Sequence, residues 1–150
     1  MQAFLVIFRF AQLVRSRLGR GNPVSVVVTL LYRVLGESLA SCEIPVSVVV
    51  GPRLAVFHGY GTVVDRTAVL GSDVTLRHGV TIGNTGRGRA PVVEDGVTIG
   101  VGASVLGAIT IGSGASIGAH ALVLRDVPPG AVVRAAEAEI RPAREQSSSA

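Results

Sequence analysis

The chain has 150 residues, 48% of them hydrophobic, enough apolar material for one domain with a core of ordinary size. Its single cysteine, Cys42, cannot pair within the chain, which excludes the disulfide framework of a small secreted domain and leaves a reducing, cytoplasmic setting as the expectation. The formal charge is +4 and all 14 basic residues are arginine, which suits an anionic ligand or an anionic membrane surface, whereas 4% aromatic content and the lack of a basic run argue against nucleic acid.

Residues 2–18 and 24–39 read as two helices, split by Gly19-Arg20-Gly21-Asn22-Pro23, whose Asn-Pro step favours a turn and a helix start. Arg9, Arg15, Arg17 and Arg20 accompany Phe4, Leu5, Phe8, Leu13 and Val14. That mixture suits either a helix lying on a membrane surface or one packed under the open end of a core or a partner subunit. Phe4 to Phe10 is broken by Arg9 and lacks a basic leader, and Val24 to Leu35 is too short to span a bilayer.

From Ile44 the pattern becomes repetitive: an aliphatic residue returns every six positions at Ile44, Val50 and Val56, then Val64, Leu70, Leu76 and Ile82, then Val93, Ile99, Val105, Ile111, Ile117 and Val123. Gly often follows it, and a small or β-branched residue often sits four places later. A helix cannot use that period with so much Gly and Val, but short strands turning at regular corners can. The expected architecture is a parallel β-helix in which three hexapeptides make one triangular coil, giving about four coils and a prism on the order of 20 Å long. Two insertions interrupt the count, two residues between Val56 and Val64 and five between Ile82 and Val93. In a solenoid such insertions project as loops from a corner, and the Gly- and Arg-rich segment Gly83 to Pro91 is a place to look for function.

His58 and His78 are each the third residue of their hexads, so the period places both near one corner on successive coils, at ~5 Å. A neutral imidazole there suits a general base for a hydroxyl attacking a thioester. Geometry alone leaves open that they are surface histidines. His120 falls near the same corner, about two coils further along and roughly 14 Å from His58, and is given no catalytic role.

Three stretches carry a resemblance: Phe57-His58-Gly59-Tyr60-Gly61, Leu76-Arg77-His78-Gly79-Val80-Thr81-Ile82-Gly83-Asn84 and Val123-Leu124-Arg125-Asp126-Val127-Pro128-Pro129, with Leu31-Tyr32-Arg33 upstream. On these the chain resembles the hexapeptide-repeat acyltransferases of the serine acetyltransferase family, and more closely the colanic-acid and other exopolysaccharide acetyltransferases. The resemblance implies a left-handed β-helix, a homotrimer, acetyl-CoA as cosubstrate without a metal, and active sites in clefts between neighbouring prisms. It implies that His58 is the general base and that Glu43, standing where the family has an aspartate fifteen residues earlier, orients it. The CoA-binding pattern carries over onto Asn84, Thr85, Val101, Ser116 and Ala119; because Ser116 replaces a lysine common in the family, phosphate contacts are expected to shift to Arg125, Arg134 or Arg141.

The departures bear on the acceptor. Phe57 stands where serine acetyltransferases have an aspartate, and Arg89-Ala90 where they have Arg-His, so an amino acid's ammonium and carboxylate would be left poorly paired. The expected function is therefore O-acetylation of a sugar or polysaccharide intermediate, small or lipid-linked, with Phe57, Tyr60, His78 and Arg89 at the acceptor and peripheral membrane contact as a further option. A hydroxy amino acid acetyltransferase is the alternative. A metal-dependent γ-carbonic-anhydrase-like protein is the third, and it lacks that family's His-x4-His spacing. The expected division is residues 1–42 as a helical segment, 43–134 as the β-helix and 135–150 as a tail.

Overall fold

The computed structural model describes residues 2–34, 41–86 and 88–137, and they form two helices leading into a left-handed parallel β-helix. Helix α1 (Gln2–Leu18) is followed by α2 (Pro23–Arg33), where Asn22 caps the N-terminus by accepting a hydrogen bond from the Val24 amide at 2.9 Å, with proline in the first turn. The second helix thus begins one residue before its expected start; the stretch 35–39 expected at its end lies outside the described residues.

The strands are two or three residues long, because each spans one side of a triangle before the chain turns. The first coil is β1 (Cys42–Glu43), β2 (Val49–Val50) and β3 (Ala55–Phe57), and the second is β4 (Thr62–Val64), β5 (Val69–Leu70) and β6 (Thr75–Arg77). The third is β7 (Thr81–Gly83), β8 (Val92–Val93) and β9 (Thr98–Ile99); the fourth is β10 (Ser104–Leu106), β11 (Thr110–Ile111) and β12 (Ser116–Ile117). A fifth coil runs through β13 (Leu122–Val123), a bridge from Val127 to Ile111, and β14 (Val132–Val133). Stacking builds three parallel sheets, here termed the first (β1-β4-β7-β10-β13), the second (β2-β5-β8-β11) and the third (β3-β6-β9-β12-β14).

The hexad residues form the interior ladders, for example Val56, Leu76, Ile99 and Ile117 on the third sheet, all essentially buried. There is one more coil than the period counts, because the spacing after Val123 shortens to four residues at Val127 before returning to six at Val133.

The lower end of the prism is closed by the helices. Phe8 and Ala11 of α1 are buried, Tyr32 of α2 stacks with Phe4 and Phe8, and its hydroxyl donates to the Ile44 carbonyl at 2.7 Å. Arg9 donates to the Val50 and Gly51 carbonyls, and the Gln12 amide to those of Val48 at 3.0 Å and Val46. Carbonyls on the first coil that would otherwise face outward from a sheet edge are thereby satisfied.

Candidate active site

The corner between the third and first sheets gathers the three histidines with Phe57, Tyr60, Val101 and Ala119. His58 follows β3, His78 follows β6, and the two rings lie 6.5 Å apart edge to face, slightly further than the ~5 Å that coil spacing alone suggests. Further up the same corner come Val101, whose carbonyl accepts from the His120 amide at 2.7 Å, and then Ala119 and His120. His120 is thus two coils beyond His78 and three beyond His58. The two-residue insertion widens the corner at His58-Gly59-Tyr60-Gly61: Phe57 pairs with Arg77 and Val63 with Thr81, so six positions on this coil match four on the next.

His58 is held at φ +52° and His120 at φ +57°, the left-handed conformation that Gly79 (φ +69°) and Gly102 (φ +63°) adopt at this corner. The turn demands that geometry. Both His58 and His78 are exposed. Just before them, at the matching register position of the third sheet, Phe57 pairs with Arg77, whose guanidinium lies 5.6 Å from the ring centroid. Phe57 is 49% exposed and Tyr60 63%, so one imidazole pair is flanked by two open aromatic rings and a cation. Arg77 is a neighbour the sequence reading missed, although its signal was present, since Phe57 and Arg77 immediately precede the two histidines.

Glu43 lies outward on β1, in register with Val63, five residues beyond His58 along the coil. Its carboxylate makes no hydrogen bond or ion pair with His58 or with any other described residue. Instead it lines a cleft of about 280 Å³ between the helices and the first coil, together with Arg15, Tyr32, Arg33 and Arg66.

The Gly- and Arg-rich loop leaves the opposite edge of the first sheet, between β7 and β8, so within one protomer Asn84, Thr85 and Arg89 do not share a corner with His58. The Asn84 side chain is committed to the loop itself: its amide donates to Asp65 at 2.8 Å and its carbonyl accepts from the Gly86 amide at 2.9 Å. Asp65 also accepts from the Thr67 amide at 2.8 Å and hydroxyl at 2.7 Å, and these bonds, with Thr67 foremost, hold its carboxyl below the usual range. Ala90 is buried, its amide donating to the Thr67 hydroxyl at 3.2 Å, so it serves the core and offers no apolar surface to an acceptor. Thr85 and Arg89 are exposed.

Ser116 lies on β12, with Arg134 just past β14 on the same sheet, and Arg134 and Arg125 are exposed; Arg141 lies outside the described residues. Along the histidine corner the side chains of Val101 and Ala119 are small, and the His120 ring packs over Gly102, where an added Cβ would stand 2.5 Å from its Nδ1. Among the described residues no three His, Cys, Asp or Glu side chains come together as a metal site.

Residues 90–125 match the model of the bacterial transferase hexapeptide family, six repeats. The chain is 34% identical over 137 residues to WcaB of Escherichia coli (strain K12), named as a colanic acid biosynthesis acetyltransferase, covering 90% of this chain and 85% of that protein. It is 47% identical over 98 residues to serine acetyltransferase of Mycobacterium tuberculosis, covering 63% of this chain and 43% of that one. Among solved structures it superposes on Entamoeba histolytica serine acetyltransferase isoform 3 in complex with cysteine (TM-score 0.78, 28% identity, 95% of this chain and 50% of that chain). It also superposes on the Brucella abortus enzyme in complex with coenzyme A (TM-score 0.77, 30% identity, 90% of this chain and 53% of that chain). The chain thus spans about half the length of the serine acetyltransferases it matches. With a repeat that matches the family model and a relative aligned across nearly its whole length, the chain belongs to the hexapeptide-repeat acyltransferases that include the colanic acid biosynthesis acetyltransferase WcaB, with serine acetyltransferases among its homologues.

Proposed function

We propose that the protein is an acetyl-CoA-dependent O-acetyltransferase that acts on a hydroxyl of a sugar or polysaccharide intermediate, with His58 as general base. The observation that carries this reading is the widened corner, where two exposed imidazoles stand beside the open Phe57 ring and Arg77, in a family whose relatives are named acetyltransferases. In the proposed step the His58 imidazole takes the proton of the acceptor hydroxyl as its oxygen bonds to the thioester carbonyl carbon. The carbon–sulfur bond breaks, and the imidazolium returns the proton to the departing thiolate, leaving an acetyl ester, free thiol and neutral histidine. Glu43 orients the ring once the acceptor is bound, its carboxylate having no hydrogen-bond partner among the described residues and catalytic hydrogen bonds commonly tightening on binding.

The aromatic faces of Phe57 and Tyr60 suit the apolar side of a pyranose, and His78 suits a sugar hydroxyl. Val101, Ala119, Ser116 and Arg134 lie above the histidines on the same side of the prism and are assigned to the CoA arm. Asn84, Thr85 and Arg89 sit across the first sheet, so a site that uses both groups draws them from two prisms, which supports a homotrimer; the single free cysteine supports a reducing, cytoplasmic setting.

L-Serine is the second reading, favoured by the 47% identity to a serine acetyltransferase and opposed by Phe57 at the position where that family has an aspartate. The deciding measurement is thiol release from acetyl-CoA against sugars, nucleotide sugars, glycan intermediates and hydroxy amino acids. Transfer to at least one sugar hydroxyl with little to L-serine is expected; saturable acetylation of L-serine with no sugar above background hydrolysis overturns the assignment. His58→Ala is expected to lower the rate about 100-fold or more with CoA binding retained, and Glu43→Gln to cost less. If His78→Ala were inactive and His58→Ala nearly normal, His78 would be the base.

A further inference from the structure

The helical end of the molecule combines a surplus of positive charge with a regular stripe of outward apolar side chains. Residues 1–36 hold five arginines and no acidic residue, whereas the rest of the chain has nine basic against ten acidic residues, so the net positive charge resides in the helices. The same helices display apolar side chains outward. Val6 (68% exposed), Phe10 (56%) and Leu13 (53%) recur at helical spacing along one stripe of α1, and the next position of that stripe is Arg17, itself exposed. On α2 and its C-cap, Val27, Leu31 and Val34 repeat the pattern. These side chains are not core residues waiting for a place, because α1 is already anchored through Phe8 and Ala11 on its opposite face and through Arg9 at the edge of the stripe, and α2 through Tyr32. No helix among the described residues is long and apolar enough to cross a membrane.

We propose that the outward stripe of α1, with the exposed face of α2, docks on an anionic lipid bilayer, lying in the interface plane with Phe10 and Leu13 among the acyl chains and Arg17 and Arg20 at the phosphates. A helix with apolar residues on one side and arginines beside them binds in this way, and its affinity combines buried apolar area with attraction to anionic lipid. A second copy of the chain is the poorer occupant, since pairing helical ends would set the exposed Arg17 and Arg20 of one copy against those of the other. The inference goes beyond the acetyl-transfer reading and does not depend on the acceptor.

The test is co-sedimentation of the full-length protein with vesicles of phosphatidylcholine alone and of phosphatidylcholine mixed with phosphatidylglycerol, with no acyl substrate present. Binding is expected to the mixed vesicles and to weaken with added salt. Phe10→Asp with Leu13→Asp is expected to weaken it at least about tenfold, since burying either side chain is worth more than that factor. A matched circular dichroism melt shows whether that variant folds. Arg17→Glu with Arg20→Glu, which removes no apolar contact, provides a second arm and is expected to abolish the preference for phosphatidylglycerol. Absence of binding to either vesicle overturns the proposal. So does a lipid-free particle of twice the trimer mass that Phe10→Asp with Leu13→Asp splits in two. Turnover of a soluble acceptor in lipid-free buffer tests the acetyl-transfer reading separately, so either can fail alone.

Discussion

At the scale of single residues, the corners of the prism set which side chains are tolerated. Gly100 lies just before the histidine corner, and a Cβ added there would stand 2.6 Å from the Ala119 nitrogen and 2.8 Å from the Gly118 carbonyl carbon, both backbone atoms of the next coil. Gly100→Ala is therefore expected to destabilise the fold by about 1–3 kcal/mol, read as a lowered midpoint in urea, because two stacked backbones must part. Cys42 makes a different point: burial raises its thiol to about 11, so it is expected to ignore a disulfide reagent in the native protein at mildly alkaline pH and to react once the chain is unfolded. A fast native reaction would show the first coil opening. The stacking of His58 on His78 could be read from the sequence because register follows from the period. The burial of Ala90 could not, because an insertion obeys no period and its path is decided by local bonds such as that to Thr67.

Secondary-structure elements here are so short that their order comes from stacking, and the same holds for the inserted loop. Its base is tied by Asp65, which receives bonds from Thr67 and Asn84. Because the folded-state value of this carboxyl is lowered, its contribution is complete above the unfolded value, near 3.8, and is lost as pH falls through the lower folded value. The loop is accordingly expected to stay ordered across the neutral range and to loosen only in acid. Asp65→Ala is expected to reproduce the acid state at neutral pH, with faster hydrogen exchange at the Gly86 amide and faster tryptic cleavage after Arg89. An unchanged exchange rate would mean that the loop is held by other contacts. The hexads made the existence and phase of four coils legible, whereas the fifth was hidden by the shortened step from Val123 to Val127. The helices were legible from their apolar spacing and from Asn22-Pro23, but nothing in that spacing announced that Arg9 and Gln12 would face the first coil's carbonyls.

For the whole molecule, the separation of the histidine corner from the Asn84 loop by the width of a sheet makes assembly the decisive property. A homotrimer is expected by light scattering at micromolar concentration, and a stable monomer would remove the neighbour on which the proposed cleft depends. The family and its fold were visible from the repeat and its motifs. What the charge bookkeeping of the full sequence concealed, by averaging to +4, is that one end of the molecule is basic and the rest nearly neutral. The hydrogen bonds from Arg9 and Gln12 have a further consequence. A stack of parallel coils has no intrinsic length, since each new coil presents the acceptors that the next one needs, and in this respect it behaves as a growing polymer. Helix α1 is its chain terminator: by occupying the Val46, Val48, Val50 and Gly51 carbonyls it denies the lower face to any other strand. Replacing Arg9 and Gln12 by alanine would convert that face from a dead end into a growth point, and the product to look for is a filament of end-joined prisms.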